Sequence, residues 1–446
     1  MKKSYDVIII GGGPAGSTLG SYLAKEDISC AIFEKEKFPR PHVGEALVPS
    51  STEIFNDLGL IKKLEKQHFP KKYGAIWTSE KNDNIYSHDW DDVEDSYKME
   101  VEFRPDDDYE FQNYTYHVRR DIFDKILLDN AKEIGADIFE EHQVFSTDIN
   151  DKGVNINVRN SEKEEFKIWG KIIVDASGRN TLLGNKFKWK IKDPVFNQCA
   201  VHCWFKNYER TNVEERYTAI HFLPIANSWI WQIPINNDTT SIGIISQKED
   251  FAKEREDIKS FFWTRISSRP DLYERLKKAE QLNDFKIEGD YSYAMKNVVG
   301  NRCLLIGDAA RFVDPIFSSG VSIALQSAKF ASRDIINALK TDKFDKSQFK
   351  NYQTLIERGC KNWYRFISLY YRLNVTFTYF LSKSEYHRDV LKFLQGDVYD
   401  EDDPEFLDAM TKFVEGVEQN PKHPLHDYLG NLTANKFNPN TNYGVE

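Results

Sequence analysis

Three glycines near the start of the chain have the spacing of a dinucleotide-binding turn. Gly11, Gly13 and Gly16 follow the apolar run DVIII. Glu34 closes the next apolar run, CAIF, eighteen positions after Gly16. Such glycines, with Ala15 among them, allow a tight turn and a close approach of the backbone to a pyrophosphate at a helix N-terminus, and the carboxylate accepts hydrogen bonds from a ribose. The pattern predicts a site for FAD or NAD and does not by itself distinguish the two.

Three more groups of residues have types and positions that suit them to binding or catalysis. Trp229 and Trp231 stand two positions apart on a predicted strand, so both indoles point to the same face. Ser319 and Gly320 stand at the start of a predicted helix, where unpaired amides and the macrodipole attract an anion. Lys72 belongs to a Lys–Lys pair, and such a lysine is usually a solvated charge. Burial would instead lower its pKa and favour the neutral amine.

The elements that must position these residues predict an α/β fold. The first forty residues have the pattern of a strand, a helix from about Pro14 to Lys25 and a second strand, which is a Rossmann-like βαβ opening. The run YTYHV is predicted to be a strand, and Asp121 is expected to cap the helix that follows it. An alternating hairpin, VNINV with FKIWGKIIV, then leads to DASGR and resumes the same domain.

The second half of the chain changes character twice. Short alternating strands between about Asn197 and Gln247 predict an antiparallel sheet beside the first domain. The run RCLLIGDAA is predicted to be a buried strand that ends before Asp308, with a helix from about Gly320. From about Ser347 the chain is predicted to be mostly helical, with a polar tail.

Composition narrows the class of protein. The chain has 446 residues, 40% of them apolar, so it can bury a large core in two or three domains. Its net charge of -10 is spread along the sequence without a basic stripe, which argues against nucleic-acid binding. Five cysteines without a CxxC pair indicate neither a disulfide framework nor a metal site. The apolar N-terminal run is too short for a signal peptide or a membrane span, so we expect a cytoplasmic protein.

Three segments, GGGPAG, DASGR and GDAA, together resemble the flavoprotein monooxygenase superfamily over most of residues 1–345. The resemblance implies that FAD is the cofactor and that Arg120, in VRRDIFD, and Asp308, in GDAA, contact it. The sequence contains no second GxGxxG, so nothing reserves a site for a nicotinamide cofactor. We therefore expect a separate reductase to supply reduced FAD.

Within this superfamily, the segments FPRPHVGEALVPSS, WIWQIP and DPIFSSGV resemble the flavin-dependent halogenases. The resemblance implies that reduced FAD, oxygen and chloride or bromide produce hypohalous acid. The indoles of Trp229 and Trp231 would keep an organic substrate away from the flavin, and the amides of Ser319 and Gly320 would bind the halide. Lys72 corresponds to the catalytic lysine of the family, which either hydrogen-bonds hypohalous acid or becomes a haloamine.

Phe317 is an informative departure within this family. It occupies the position immediately before the halide loop where tryptophan-type members carry a glutamate. With phenylalanine in place of this glutamate, the chain resembles the phenol- and pyrrole-type members of the family. Their substrates are activated by their own hydroxyl group or ring nitrogen. We therefore assign Phe317 to the substrate pocket and expect a phenolic or pyrrolic substrate, either free or tethered as an acyl group to a carrier protein. Ala46 and Ser322 also replace the serine and histidine common in relatives.

The predicted domain division follows from the resemblance and the element pattern. Residues 1–185 form the first part of a discontinuous FAD-binding domain, with inserted substrate-domain strands around 72–116. Residues 186–285 form an antiparallel substrate domain, 286–345 return to the FAD-binding domain, and 346–446 form a helical C-terminal region. The aromatic residues of this last region either form a substrate lid or pack the helices together. They are Trp363, Tyr364, Phe366, Tyr370 and Tyr371.

Three other interpretations compete with a halogenase. An aromatic hydroxylase of the same fold would usually have GDAAH and a glycine-rich continuation, whereas this chain has GDAARFVDPIFSSGV. An isoprenoid reductase would tend to have GEG where this chain has SSG. A flavin-binding partner protein without turnover belongs to a different functional class. Dependence of product on halide would separate all three from a halogenase.

Overall fold

The computed structural model describes residues 2–80, 96–103, 113–193, 195–225, 227–254, 257–289, 292–400, 404–430 and 432. The strands, in chain order, are β1 Ser4–Ile10, β2 Cys30–Phe33, β3 Lys71–Lys72, β4 Gly74–Glu80, β5 Ser96–Glu102, β6 Thr115–Tyr116, β7 Asp137–Phe139, β8 His142–Asn150, β9 Gly153–Asn160, β10 Glu165–Asp175, β11 Lys190–Lys192, β12 Gln198–Lys206, β13 Tyr217–Phe222, β14 Trp229–Pro234, β15 Thr239–Gln247, β16 Glu280–Gln281, β17 Lys286–Glu288, β18 Tyr293–Met295, β19 Val299–Gly300 and β20 Cys303–Leu305. The helices are α1 Pro14–Lys25, α2 Ser50–Asp57, α3 Ile61–Glu65, α4 Arg120–Ile134, α5 Leu182–Lys186, α6 Lys248–Glu254, α7 Ile258–Ser267, α8 Pro270–Leu276, α9 Ser319–Thr341, α10 Lys350–Leu373, α11 Phe377–Ser382, α12 Ser384–Leu394 and α13 Glu405–Gln419.

A largely parallel sheet carries the glycine turn. Its order is β19-β20-β10-β1-β2-β7, and β1 pairs in parallel with both β10 and β2. The helix α1 begins at Pro14 and ends at Lys25, as predicted, and packs against α4 and α9. Proline suits the first turn of a helix because its missing N–H has no intrahelical acceptor there. The Rossmann-like βαβ opening is therefore confirmed.

The remainder of this sheet includes one element that the sequence did not reveal. The predicted hairpin is confirmed, since β9 and β10 pair antiparallel with Ile156 opposite Ile168. A further strand, β8, pairs with β9 and was not predicted.

Two local predictions were wrong. The helix α4 already begins at Arg120, so Asp121 lies inside the first turn and pairs with Arg119 instead of capping it.

The run YTYHV is also shorter as a strand than predicted. Only Thr115 and Tyr116 form β6, which pairs with β3. This short pairing places Thr115 opposite Lys72. The chain then leaves the strand at His117, whose backbone forms an isolated bridge with Ala46. Residues 115–117 therefore contact Lys72 at one end, through Thr115, and Ala46 of the GEA motif at the other, through His117.

The second sheet has the order β16-β12-β15-β14-β13-β4-β5, with β17 also paired to β12. The alternating strands predicted between Asn197 and Gln247 are present as β12 to β15. The antiparallel sheet predicted for this range is confirmed, because β12, β15, β14 and β13 pair antiparallel in turn. One strand from outside the range, β4, pairs in parallel with β13. Strand β4 arrives from the earlier part of the chain, and parallel neighbours require such a long connection. Of the inserted strands expected around 72–116, β4 and β5 thus join this sheet, whereas β3 and β6 pair with each other in a separate two-stranded sheet. The exact domain boundaries stay a prediction.

The helices after residue 346 pack on α9 and on one another. Helix α10 contacts α9 and α13, and Trp363, Phe366 and Tyr370 in α10 are almost completely buried. All five cysteines are free and buried. Among the described helices, none combines the length and the apolar character needed to cross a bilayer. The predicted polar tail lies almost entirely outside the described residues.

Candidate active site

A cleft of about 1070 Å³ opens at the glycine turn and continues to the second sheet. Its walls include Gly11, Gly13 and Ala15, and Gly11 has a φ of +102° that suits glycine. A Cβ at Gly16 would lie 1.9 Å from the Gly11 carbonyl oxygen, so only glycine allows α1 to approach β1 this closely. The volume lies just above the usual range of small-molecule pockets, roughly 300–1000 Å³. A dinucleotide such as FAD fits both the size and the glycine cradle.

The predicted ribose-binding carboxylate is held in place at this cleft. The Oε2 atom of Glu34 accepts a hydrogen bond from the Gly12 amide at 2.7 Å, and Oε1 accepts one from the Glu36 amide at 2.9 Å. Glu34 is buried and lines the cleft. Because carboxylate oxygens each have two lone pairs, both retain capacity to accept a bond from a ribose hydroxyl.

Arg120 and Asp308 also line the cleft. The Arg120 guanidinium donates to Asp124 at 2.8 and 3.0 Å and to the Val43 carbonyl, so it is fixed against the wall. Burial raises the pKa of Asp308 to about 6, and the charges of Arg179 and Arg120 oppose this rise. The structure thus brings the predicted FAD contacts from four separate chain segments into one cavity.

The two tryptophans lie side by side on β14 and both line the cleft. Their ring centroids are 6.3 Å apart. The Trp229 indole donates to the Tyr371 hydroxyl at 2.9 Å, and the Trp231 indole donates to the Ser241 hydroxyl at 3.2 Å. A Cβ at Gly243 would lie 2.1 Å from the Trp231 ring, so this glycine provides the space for the indole. Each indole is therefore held by one hydrogen bond, and the acceptor for Trp229 lies on helix α10.

Lys72 is buried, with 3% of its surface exposed. Its Nζ donates to the Leu47 carbonyl at 2.8 Å and lies 3.5 Å from the Ser318 hydroxyl. Burial lowers the pKa of Lys72 to about 7, so the ammonium and the amine are both populated near neutral pH. The neighbouring Lys71 is exposed and lies over the Tyr114 ring, as expected for an ordinary surface lysine. The two lysines of the pair thus have different environments, since Lys72 is buried and Lys71 is exposed.

A small cavity of about 20 Å³ surrounds the Lys72 side chain. One water needs roughly 10–15 Å³ by this measure, so the cavity has room for one molecule of about that size. Four residues line both this cavity and the large cleft. These residues are Thr218, Ile220, Ile316 and Ser318. The cleft and the lysine cavity therefore share a wall.

The predicted halide loop lies at the same wall. Helix α9 begins at Ser319, and Ser318 precedes it with a left-handed φ of +57°. The first amides of a helix have no intrahelical acceptors, so those of Ser319 and Gly320 provide positive potential there. Gly320 lines the cleft, whereas the Ser319 hydroxyl donates to the Asp314 carbonyl at 3.3 Å. The arrangement leaves the backbone, and not the Ser319 side chain, to meet an anion.

Phe317 lies on the Lys72 side of the shared wall. Its ring stacks on Phe366 with centroids 4.7 Å apart and meets Tyr370 edge-on at 5.1 Å. Trp363 lies at 6.1 Å, so residues of the aromatic stretch in α10 reach this position. The ring neighbours of Phe317 are all aromatic, and its own side chain has no carboxylate to offer the substrate. Packing of the helices, which was one of the two interpretations of the aromatic stretch, is what the described contacts show.

Two groups at the site, Glu45 and Thr218, were not identified from the sequence as functional, and a third, Tyr371, was named only as a residue of a substrate lid or of helix packing. Glu45 lines the cleft, accepts a bond from the Trp204 indole at 2.6 Å, and has its pKa raised to about 7 by burial. Tyr371 accepts a hydrogen bond from the Trp229 indole, 142 residues earlier in the chain. Thr218 lies on the shared wall and is bonded to His117 at 2.9 Å. Glu45 belongs to the GEA motif and was recognisable there, Tyr371 was visible as part of the aromatic stretch, and Thr218 lacks a local signal.

Comparison with known proteins shows the family to which the chain belongs. Residues 4–354 match the FAD binding domain family. The chain is 46% identical over 447 residues to a 1H-pyrrole-2-carbonyl-[peptidyl-carrier protein] chlorinase of Pseudomonas fluorescens, covering 98% of each chain. It is 31% identical to the corresponding brominase of Pseudoalteromonas luteoviolacea, covering 94% of this chain and 97% of the other.

A solved structure of a flavin-dependent brominase superposes with a TM-score of 0.82 at 28% identity, covering 93% of this chain and 99% of the other. The family match and the two relatives extend over most of the chain. The protein therefore belongs to the flavin-dependent halogenases within the FAD binding domain family. It is an oxidoreductase whose cofactor is FAD and whose second small reactant is a halide.

Proposed function

We propose that this protein chlorinates or brominates a pyrrole ring that is tethered as an acyl group to a carrier protein. One observation carries the proposal: a buried lysine occupies a cavity that shares a wall with the FAD-sized cleft. When bound, FAD in its reduced form supplies, with oxygen, the oxidation of halide to hypohalous acid. The residues of the chain then have to bind the cofactor, exclude the organic substrate and direct the small oxidant to the ring.

We assign the cofactor to the residues that line the cleft. The turn at Gly11, Gly13, Ala15 and Gly16 accommodates the pyrophosphate, and Glu34 accepts from the ribose. Arg120 and Asp308 are assigned to the remainder of FAD. The Trp229 and Trp231 indoles narrow the cleft next to the second sheet, which favours passage of a halide over an aromatic ring.

We assign delivery of the halogen to Lys72. As an ammonium it donates a hydrogen bond to the oxygen of hypohalous acid, and as an amine its nitrogen attacks the halogen while the hydroxide leaves and takes an amine proton as water. The pKa of about 7 makes both forms available. We assign halide binding to the amides of Ser319 and Gly320, which lie at the same wall.

The pyrrolic substrate is supported by two facts. The two relatives that are 46% and 31% identical to this chain act, by their names, on a pyrrole-2-carbonyl group on a peptidyl-carrier protein. Phe317, with its aromatic neighbours, provides no carboxylate to assist attack on a weakly activated ring, so the substrate must supply its own electron density. A phenolic acyl group is the second candidate because a phenol is activated in the same manner by its hydroxyl group.

We also propose that a separate reductase supplies reduced FAD and that the protein works in the cytoplasm. Its five cysteines are all free thiols, which is compatible with a reducing compartment. Fractionation of cells that produce the tagged chain tests the second proposal. Turnover that starts only when an FAD reductase and its reductant are added tests the first.

The experiment offers the protein a panel of substrates together with FAD, a flavin reductase, oxygen and either chloride or bromide. The panel contains pyrrole-2-carbonyl and hydroxybenzoyl groups on a carrier protein, the same two acids in free form, and tryptophan. Mass spectrometry of each product detects replacement of hydrogen by halogen. We expect the carrier-bound pyrrole to be halogenated, with no product when halide is omitted.

Matched variants test the role of the lysine. Lys72→Met keeps a linear side chain of similar length and should abolish halogenation, while FAD titration remains normal. Lys71→Met, next to it on the chain, should retain activity because Lys71 is exposed. A hydroxylated product that does not require halide would refute the halogenase assignment for this substrate. Exclusive turnover of free tryptophan would refute the substrate assignment and leave the flavin chemistry intact.

A further inference from the structure

The wall between the cleft and the lysine cavity has a mixed chemical character. Two of its four residues, Ile220 and Ile316, are apolar, while Thr218 and Ser318 carry hydroxyl groups. The Ser318 hydroxyl lies 3.5 Å from Lys72 Nζ. Thr218 is the other residue of this shared wall that can exchange a hydrogen bond with a small molecule moving from the cleft to Lys72.

A buried histidine orients the Thr218 hydroxyl. His117 is fully buried, and its Nε2 lies 2.9 Å from Thr218 Oγ1. Burial, together with the positive charges of Lys72 and Arg210, holds the pKa of His117 well below its usual range. The imidazole is therefore neutral and carries one N–H. Its Nδ1 is buried without a hydrogen-bond partner among the described residues.

The unpartnered Nδ1 favours one tautomer. A buried N–H without an acceptor is rarer in proteins than a buried acceptor with unused capacity. The proton is therefore better placed on Nε2, where it is donated to Thr218 Oγ1. A threonine hydroxyl that accepts this bond keeps its own proton for a further acceptor. The shared wall then presents an O–H donor on the path to Lys72.

We propose that Thr218, oriented by His117, donates a hydrogen bond to hypohalous acid as it passes from the FAD cleft to Lys72. This inference rests on the proposed function, because it requires hypohalous acid to travel between the two cavities. Thr218 contacts the reacting molecule, whereas His117 is a positioning residue. The threonine proton stays on Thr218, and the bond holds the oxygen so that the halogen faces the lysine. In the same way it retains the oxidant, which would otherwise diffuse out through the cleft.

The test compares four variants with the wild-type protein under turnover conditions. Thr218→Val removes the hydroxyl at constant shape, and Thr218→Ser keeps it. The double variant Thr218→Val with His117→Phe removes both partners, which avoids an imidazole left without any partner. Thr240→Val is the control, because Thr240 is a buried threonine of the same sheet, on strand β15, which β14 separates from β13, and its hydroxyl accepts from Arg210.

Two functional quantities and a pair of structural controls, counted together as the third, are measured for each protein. The first is halogenated product per reduced FAD consumed. The second is hypohalous acid that escapes into solution, trapped by a small dione that is halogenated without the enzyme. The third is the pair of structural controls, FAD affinity and thermal midpoint. For Thr218→Val we expect about a three- to tenfold loss of product, the effect of one hydrogen bond, and a matching rise in trapped oxidant.

The serine variant should recover most of the product, and the double variant should remain as defective as Thr218→Val even where its thermal midpoint recovers. Wild-type product and wild-type trapping in Thr218→Val would overturn the inference. Recovery of product in the double variant would also overturn it, because the role of Thr218 would then be structural. Failure of the proposed function has a different signature, namely no trapped oxidant and no halogenated product from the wild-type protein.

Discussion

The low pKa of Lys72 predicts a pH-dependent change in stability that can be measured without a substrate. Lys72 has a pKa of about 7 in the folded protein, against a usual value of 10.5, because it is buried. Below pH 7 the lysine is charged in both the folded and the unfolded chain, so the folded state carries the full cost of burying the ammonium. Lys72→Met removes that cost. The variant should therefore be more stable than the wild-type protein at pH 6.

The magnitude follows from proton linkage. Between pH 7 and about 10 the unfolded chain binds more protons at this site than the folded protein, so wild-type stability rises with pH relative to the variant. Each pH unit in this window is worth about 1.4 kcal/mol. From pH 6 to pH 9 the difference in unfolding free energy between Lys72→Met and wild type should therefore shrink by about 2–3 kcal/mol.

Urea unfolding followed by tryptophan fluorescence at pH 6, 7.5 and 9 measures this difference, and contributions of all other titrating groups cancel between the two proteins. Lys71→Met is the matched control. Lys71 is exposed, so its small effect should be the same at the three pH values. A difference between Lys72→Met and wild type that is constant within about 0.5 kcal/mol from pH 6 to pH 9 would refute the burial argument for the lysine, because linkage would then be absent.

Three further substitutions test how the cleft is held. Gly11→Ala should abolish FAD binding in a fluorescence titration, because Gly11 has a φ of +102° and an added Cβ would lie 2.4 Å from a backbone oxygen. Gly243→Val should lower the thermal midpoint and the yield of halogenated product per reduced FAD, since the new side chain would displace the Trp231 ring; unchanged yield would show that this indole is dispensable. Tyr371→Phe should reduce the unfolding free energy in urea by about 1–2 kcal/mol, because the Trp229 indole loses its acceptor. A stability equal to that of the wild type would mean that the indole finds another partner.

The cofactor half of the site was largely predictable from the sequence because its signals are local. The turn at Gly11 lies between a buried strand and a helix that starts with proline, and each of these features is visible within twenty residues. Glu34 follows the next strand at the expected distance. Local backbone requirements of this kind leave a mark at the residues that satisfy them. The bounds of α1 were predicted correctly for the same reason.

The hydrogen-bonded pairs that hold the site could not be predicted, because their members are far apart along the chain. His117 and Thr218 are separated by 101 residues, and Trp229 and Tyr371 by 142. Thr218 belongs to no motif, and the aromatic stretch that contains Tyr371 does not indicate that its hydroxyl group contacts Trp229. The resemblance singled out Lys72 as the catalytic lysine, but its burial does not follow from residue type, since Lys71 next to it has the same side chain and is exposed. Both lysines belong to the short strand β3, where successive side chains point to opposite faces, so Lys71 is exposed and Lys72 is buried.

The parallel pairing of β4 with β13 explains why cleft and lysine cavity share a wall. Its register sets Ile220 opposite Trp77, and the antiparallel partner β14 sets Trp231 opposite Ile220, so these three side chains form a row on one face of the sheet. Thr218 lies two residues before Ile220 and therefore on the same face. A slip of β13 by one residue would turn Thr218 and Ile220 to the opposite face and remove both from the wall. The path from the FAD cleft to Lys72 is thus a property of strand register, which the alternation within any single strand does not determine.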